Sequence, residues 1–144
     1  MELHEMFDKL WCVYLNLNPE AKKVQDILCE GREQTNDHIA FRTLNLENIG
    51  INRLAKPFIS RGYSLKGKYH FQAKKLFACH FEHTDPLIPK IFISELLVGE
   101  FSEFLQETVQ FMVKDVRPST DLFLTTGRRW DINYKIYSKL LSES

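Results

Sequence analysis

Residues 37–44 read Asp37-His38-Ile39-Ala40-Phe41-Arg42-Thr43-Leu44, and here the spacing of the apolar residues changes from about 3.6 to 2. Alternation with a period of two is typical of a β-strand, whose successive side chains point to opposite faces of a sheet. His38 and Arg42 are therefore predicted to share one face of this strand, together with Ala40 and Leu44.

The residues before this strand are predicted to form a helical hairpin over residues 1–31. Apolar residues recur there at spacings of three and four, which is typical of amphipathic helices. The second helix is expected to begin at Pro19, because proline is favoured at the first helical position. Its apolar residues Val24, Ile27 and Leu28 are expected to face inward, so that the two helices pack as a hairpin.

Residues 37–97 are predicted to form a β-α-β-β-β module. A helix over about 47–61 follows the first strand, and strand-like runs follow at about 63–69, 74–82 and 90–97. The short connections between these last three strands indicate antiparallel hairpins. The predicted fold class is therefore α+β, a βαβββ module with helices on both sides of it in the sequence.

Residues 100–144 are predicted to be a helical extension of the module. One amphipathic helix is expected near residues 101–112, and a last helix over 133–141, where Tyr134 is one of the side chains available for burial. The intervening segment, 116–126, has no regular apolar period. A chain of 144 residues is the usual size of one domain.

The composition excludes several classes of protein. Lysine plus arginine equals aspartate plus glutamate at 19 each, whereas a nucleic-acid-binding protein usually carries an excess of positive charge. No segment approaches the ~20 apolar residues of a membrane span, and the N-terminus lacks the pattern of a secretory signal. Cys12, Cys29 and Cys79 have no metal-binding or disulfide spacing, so each is expected to be a small buried residue. The sequence predicts a cytoplasmic protein without nucleic-acid or membrane partners.

His38 and Arg42 are the leading candidates for chemistry. They lie four residues apart on one strand face, a span of roughly 13 Å at ~3.3 Å per residue. Neutral imidazole is a common metal ligand, and the planar guanidinium suits bidentate binding of a carboxylate. The two side chains could thus address opposite ends of one bound assembly. The alternative is a strand that faces solvent, on which both residues are ordinary.

Glu95 is the acidic candidate, since it shares a strand face with Ile91 and Ile93. A carboxylate in such surroundings is costly to bury without a partner. It could be a metal ligand, a partner for Arg42 or a residue that holds His38 in place. Alternatively, the strand is frayed at this point and Glu95 reaches water.

His80 and Ser94 are further candidates for a pocket. His80 shares its strand face with Leu76 and Ala78 and could line the same concavity as His38. An ordinary surface or hydrogen-bonded histidine is the alternative. The sequence contains no glycine-rich phosphate loop, nucleophile elbow or HExxH motif.

Four stretches together resemble a known family. They are Asp37–Thr43, the strand Lys75–Phe81, Pro89–Leu96 and Gly127–Trp130. The sequence is similar in them to the family that includes 2-oxoadipate dioxygenase/decarboxylase, also called hydroxyglutarate synthase. The resemblance covers most of the chain, and it implies a fold of the vicinal-oxygen-chelate (glyoxalase-like) type, whose unit is the same βαβββ module.

The resemblance implies a mononuclear Fe(II) site of two histidines and one glutamate, with Zn or Mn as other possible divalent metals. The first of these histidines corresponds to His38, and the arginine that binds the substrate carboxylate corresponds to Arg42. The substrate class would be a small 2-oxo dicarboxylic acid. The other histidine and the glutamate are expected beyond residue 144, so a second module in cis or a homodimer in trans is expected to complete the site.

Two functions remain open on this basis. The first is a metal-dependent oxygenase/decarboxylase for a 2-oxoadipate-like acid, of which this chain is the N-terminal half. The second is a non-catalytic module of the same fold, which binds a small carboxylate or dimerises. An unpaired sheet edge and an uncovered apolar face favour a covering partner in either case.

Overall fold

The structure, a computed structural model, describes residues 2–30, 32, 36–114, 116 and 132–143. The Gly127–Trp130 motif and most of the irregular segment before it lie outside these residues. The secondary-structure elements are α1 (Leu3–Leu17), α2 (Glu20–Cys29), β1 (His38–Leu44), α3 (Ile51–Ile59), β2 (Tyr63–Phe71), β3 (Leu76–His83), β4 (Lys90–Leu96), α4 (Glu103–Val113) and α5 (Tyr134–Leu141). This order confirms the predicted α+β class and its βαβββ module.

The four strands form one sheet in the order β1-β4-β3-β2. β3 pairs antiparallel with both β2 and β4, as the short connections predict. β1 pairs with β4 in parallel, with His38 opposite Lys90 and Arg42 opposite Ser94. This parallel pair joins the first and last strands of the module, and it brings the two sequence stretches with candidate site residues side by side.

One face of the sheet is covered by helices and carries the main core. Met6 of α1 and Phe58 of α3 are fully buried there against Ile91 and Ile93 of β4. Burial of such side chains contributes roughly 1.5–3 kcal/mol each and is the main term that stabilises the module. We call this the helix face of the sheet and call the opposite side the open face.

α3 forms because its apolar residues recur at helical spacing on one side. Ile51, Leu54, Ala55 and Phe58 are all buried, as the sequence predicts. The helix ends close to Pro57, in keeping with the cost of proline in a helix interior. It begins later than predicted, because residues 47–49 form a turn rather than a first helical turn.

The prediction for α2 is wrong in two respects. Val24, Ile27 and Leu28 do not face inward but are 54%, 74% and 73% exposed. α1 and α3 already fill the helix face, and α2 packs against α1 instead, where its apolar side has no cover within the described residues. Its first helical residue is also Glu20, with Pro19 one position earlier than expected.

The C-terminal helices extend the core beyond the end of β1. Leu105, Val109 and Val113 of α4 are buried, some of them against Leu44 and Leu46. Ser102 caps α4 by accepting a hydrogen bond from the amide of Leu105, and Asn133 caps α5 in the same way. The expectation for α5 needs one correction, since Tyr134 is not buried but 81% exposed.

The expectation that each cysteine is buried holds for Cys79 alone. All three cysteines are free thiols, but Cys12 is exposed and Cys29 is half-buried. Among the helices that the structure describes, none combines the length and the apolar character needed to cross a membrane.

Candidate functional site

Strand pairing arranges the side chains of the open face in rows that cross the sheet. One row runs from Arg42 on β1 through Ser94 and Ala78 to Tyr69 on β2. Adjacent side chains of such a row stand on backbones about 4.8 Å apart. The register thus places an arginine and a tyrosine at the two ends of a row whose middle carries only short side chains.

A second row, parallel to the first, is more aromatic. It contains Ala40 on β1, Phe92 on β4, His80 on β3 and Gly67 on β2. The rings of Phe92 and Tyr69 lie 6.0 Å apart between centroids, and those of His80 and Tyr69 lie 5.7 Å apart. These three rings, on β4, β3 and β2, form an aromatic cluster on the open face.

His38 and Arg42 lie on this same open face, at two positions of β1 that point the same way. Both are exposed, in line with the alternating burial pattern of the strand. Asp37 accepts a hydrogen bond of 3.1 Å from Nδ1 of His38, which leaves Nε2 as the nitrogen available to a metal. Arg42 makes no ion pair or hydrogen bond with any other residue in the described part of the chain. It is a cation at the surface without a partner among the residues that the structure describes.

Glu95 is not part of this face, which corrects the expectation that it could pair with Arg42 or hold His38. It pairs with Thr43 across the sheet and points to the helix face. There its carboxylate accepts a hydrogen bond of 2.8 Å from the amide of Ile51 at the start of α3. The unfilled amides and the positive end of the helix provide the partner that a half-buried carboxylate needs.

A cleft of about 660 Å³ opens on the helix face between α3 and the strands β2 and β3, and Glu95 and Cys79 lie in its wall. Burial raises the pKa of the Cys79 thiol, while Lys68 acts in the opposite direction. A thiol with a raised pKa is a weak nucleophile. Cys79 is therefore not a candidate nucleophile, although the wall of the cleft also carries the cations Arg53, Lys56 and Lys68.

His80 lies on the open face with a hydrogen-bonding partner on Nδ1 and a carboxylate near Nε2. The hydroxyl of Tyr69 is 2.9 Å from Nδ1, and the carboxylate of Glu82 is 3.5 Å from Nε2. Ser94, beside Arg42, donates a long hydrogen bond of 3.5 Å to the carbonyl of Phe41. His80 and Ser94 thus stand on the same face as His38 and Arg42, whereas their roles stay predictions.

Tyr69 was missed by sequence reasoning because of a β-bulge. Simple alternation from the buried Tyr63 places Tyr69 on the helix face, since the two are six residues apart. The register shift between Leu65 and Gly67 inserts one residue and turns the rest of β2 over. A glycine in the middle of the strand, Gly67, is the sequence signal that could have indicated the bulge.

The described residues do not by themselves fit a complete metal site. No group of three histidine, cysteine, aspartate or glutamate side chains that could hold an ion occurs in the part of the chain that the structure describes. His70 and His83 pair with Phe77 and Tyr63 and so point to the helix face. His38 can therefore supply one donor to a metal, and the other donors have to come from elsewhere.

Sequence comparison points to a single family. The profile of the 2-oxoadipate dioxygenase/decarboxylase family matches residues 8–129. A chloroplastic/amyloplastic 2-oxoadipate dioxygenase/decarboxylase of Oryza sativa subsp. japonica is 37% identical over 115 residues, which are 71% of this chain and 31% of that protein. The chain therefore spans about a third of the length of this relative.

Solved structures give the same picture. A protein of Shewanella frigidimarina with a provisional hydrolase label superposes with a TM-score of 0.94 at 42% identity, over 99% of this chain and 57% of that one. Hydroxyglutarate synthase of Oryza sativa, solved in complex with 2-oxoadipate, gives 0.88 at 32% identity, over 97% and 50% of the two chains. A glyoxalase superfamily protein of Ralstonia eutropha JMP134 gives 0.64 at 20% identity, over 94% and 53%, which speaks for the fold alone.

Proposed function

Because this chain belongs to the 2-oxoadipate dioxygenase/decarboxylase family, we propose that it supplies the carboxylate-binding face of a metal-dependent oxygenase/decarboxylase for a small 2-oxo acid. The observation that carries the proposal is the exposed Arg42 on the open face, on the same side of β1 as His38 and without an ion-pair partner in the described part of the chain. An exposed cation on a sheet face that also carries a cluster of aromatic rings is suited to an anionic ligand with an apolar chain.

The ligand class in this proposal is a 2-oxo dicarboxylate such as 2-oxoadipate. Arg42 binds its far carboxylate through two parallel hydrogen bonds, a geometry that the planar guanidinium provides and lysine does not. The 2-oxo end then reaches toward His38, roughly 13 Å further along β1 in backbone terms. The presence of 2-oxoadipate in the rice structure, which shares this fold, supports the choice of ligand.

The metal in this proposal is Fe(II), with Zn or Mn as less suitable substitutes for oxygen chemistry. His38 is one of its ligands, held in orientation by Asp37. Bound iron would supply oxygen activation and would accept the electron density released on decarboxylation, while the protein supplies position and charge. The second histidine and the glutamate come from a second module in cis or from a second copy of the chain in trans, because the described residues hold no three-donor group.

The proposed function goes with a single domain made of a helical hairpin of residues 1–31, a βαβββ module of residues 37–97 and a helical extension of residues 100–144. In this proposal the domain is half of a two-module protein. The proposed compartment is the cytoplasm, to which three free cysteines are suited.

The second candidate function is a carboxylate-binding or dimerising module without catalysis. Arg42 can bind a carboxylate whether or not a metal is present, since its charge and its donors are its own. The described residues hold no group of three metal donors, and this observation is the one that favours the second candidate.

Arg42→Ala tests the proposal. The dissociation constant of 2-oxoadipate, measured by titration calorimetry, is expected to rise about 10- to 150-fold, since a hydrogen-bonded charge pair contributes about 1.5–3 kcal/mol. Arg42→Lys is expected to restore only part of this loss. Arg32→Ala, which removes an exposed guanidinium after α2, is the matched control and is expected to bind as the wild type does.

Turnover separates the two candidate functions. Oxygen uptake and carbon dioxide release from 2-oxoadipate, in the presence of Fe(II), are expected for the enzyme and are expected to disappear in Arg42→Ala. Binding that depends on Arg42 without any turnover, in a protein that also contains the second module, supports the non-catalytic module. Binding that is the same in Arg42→Ala and wild type rejects the open face as the site.

A further inference from the structure

Tyr69 stands at the far end of the row that begins with Arg42. Three strand spacings of about 4.8 Å place their backbones about 14 Å apart, and only Ser94 and Ala78 lie between them. Ala78 is fully buried under its larger neighbours. Two long side chains at the ends of a row with short ones in the middle can close on one small anion from both sides.

The hydroxyl of Tyr69 is not free to rotate at random. It lies 2.9 Å from Nδ1 of His80, whose Nε2 lies 3.5 Å from the carboxylate of Glu82. That carboxylate also lies 3.8 Å from the ammonium of Lys90 on β4. Glu82 and His80 of β3 and Tyr69 of β2 thus form a series of polar contacts that ends at the phenol oxygen of Tyr69.

The absence of a side chain at Gly67 leaves room for the contact between Tyr69 and His80. A methyl group in its place would come within 2.7 Å of Nδ1 of His80 and 2.8 Å of the hydroxyl oxygen of Tyr69. Contacts this short do not occur, so one of the two partners would have to move away. The bulge beside Gly67 also turns Tyr69 to the open face. Two separate features of β2 therefore serve the position of one hydroxyl.

We propose that Tyr69, oriented by His80 and Glu82, is the second hydrogen-bond donor for the far carboxylate of the ligand, opposite Arg42. This inference rests on the proposed function and adds a residue that selects dicarboxylic over monocarboxylic 2-oxo acids. Tyr69 contacts the ligand, whereas His80 and Glu82 are positioning residues.

The direction of the hydrogen bonds follows from the charges. A carboxylate ligand accepts hydrogen bonds only, so Tyr69 must donate to it, and Nδ1 of His80 must then donate to the phenol oxygen. The other charged or titratable groups on this face are Glu82 on β3, Lys90 on β4, and His38 and Arg42 on β1.

The test compares two ligands of equal length, 2-oxoadipate and 2-oxohexanoate, which has a methyl group in place of the far carboxylate. In Tyr69→Phe, the ratio of the two dissociation constants is expected to move about tenfold or more toward equality, through weaker binding of 2-oxoadipate alone. Equal weakening of both acids would indicate a structural role and overturn the inference.

Two matched pairs of variants test the positioning residues. Gly67→Ala is expected to reproduce the loss of selectivity, whereas Gly99→Ala, whose added methyl group meets no atom within 4 Å, is expected to keep it. His80→Ala is expected to lose selectivity, and His80→Asn to restore it through an amide donor near the position of Nδ1.

Failure of this inference can be distinguished from failure of the proposed function. Binding of 2-oxoadipate that requires Arg42 but is unchanged in Tyr69→Phe overturns only the role of Tyr69. Binding of 2-oxoadipate that is unaffected by Arg42→Ala, or no binding at all, overturns both. Loss of selectivity in Tyr69→Phe and Gly67→Ala, with Gly99→Ala unchanged, supports both.

Discussion

Glu95 and Ser94 are neighbours in the sequence, yet their side chains lie on opposite sides of β4. Ser94 stands beside Arg42 on the open face, and Glu95 binds the first amide of α3 on the helix face. Because side chains alternate along a strand, Ser94 lies at the candidate site and Glu95 stabilises the fold. For a residue of this module, the face of the sheet decides between the two roles.

Glu95→Ala is expected to lower the free energy of unfolding by about 0.5–2 kcal/mol, because the amide of Ile51 loses its acceptor at the positive end of α3. The affinity for 2-oxoadipate is expected to stay that of the wild type, since Glu95 is on the other side of the sheet. Urea unfolding and ligand titration measure the two quantities. Glu107→Ala, on the exposed side of α4, is the control, and an equal loss in both variants would argue against the cap.

Tyr63 is expected to lower the free energy of unfolding at alkaline pH. Burial raises the pKa of its phenol, and the hydroxyl donates a hydrogen bond of 2.7 Å to the carbonyl of Pro89. Because the folded state favours the protonated form, this stabilisation is complete below the ordinary tyrosine pKa of about 10 and is lost as the pH rises above it.

Unfolding by urea between about pH 8 and pH 11 is therefore expected to show a steep loss of stability above about pH 10 in the wild type. Tyr63→Phe is expected to be about 0.5–1.5 kcal/mol less stable at pH 8 and to lose less on further increase of pH. The buried thiol of Cys79 contributes equally to both proteins. The exposed Tyr134→Phe is the control, and identical slopes for wild type and Tyr63→Phe would contradict the prediction.

α2 and α3 show that the same kind of apolar pattern can have two outcomes. Both helices carry apolar residues at helical spacing, but those of α3 are buried and those of α2 are exposed. The difference lies in what each helix meets, since α3 crosses the helix face of the sheet and α2 meets α1. Similarly, the bulge in β2 reverses the faces of half a strand without changing its strand character.

Leu54→Ala and Ile27→Ala compare the two helices directly. Leu54 is 5% exposed, and its truncation is expected to cost about 2–5 kcal/mol of unfolding free energy because it leaves a cavity in the core. Ile27 is 74% exposed, and its truncation is expected to change stability by less than about 0.5 kcal/mol. Urea unfolding measures both; a loss above about 2 kcal/mol in Ile27→Ala would mean that a partner covers α2 in solution.

α1 and α3 cover one face of the sheet, whereas the opposite face is buried at Leu76, Ala78 and Leu96 but exposed at Arg42 and His38, which belong to the candidate site. Arg42, His38 and His80 all stand there without a covering element among those described. The chain also spans about half the length of the solved rice structure. Both facts favour a site between this module and a second one, which the proposed function requires.

Metal binding tests whether a second module is needed to complete the site. The chain alone is expected to bind Fe(II) weakly in an anaerobic titration, with a residual affinity that His38→Ala removes, because a single imidazole is a poor site without further donors. His4→Ala, on the exposed side of α1, is the control. Tight binding of one ion per chain would show that residues outside the described part complete the site. One ion per two chains would show that a second copy does.

The sequence by itself determined the order of the elements, the buried side of α3 and the common face of His38 and Arg42, because these depend on the local period of apolar residues. Tertiary structure alone decided that β1 pairs with β4 and that Glu95 caps a helix. It also decided that the apolar residues of α2 are exposed and that Tyr69 lies on the same face of the sheet as Arg42. Each of these depends on which element lies across from a residue, or on a single inserted residue in a strand. A local sequence pattern carries no information about residues that are distant in the sequence but adjacent in the fold. Such contacts are seen only in the folded chain.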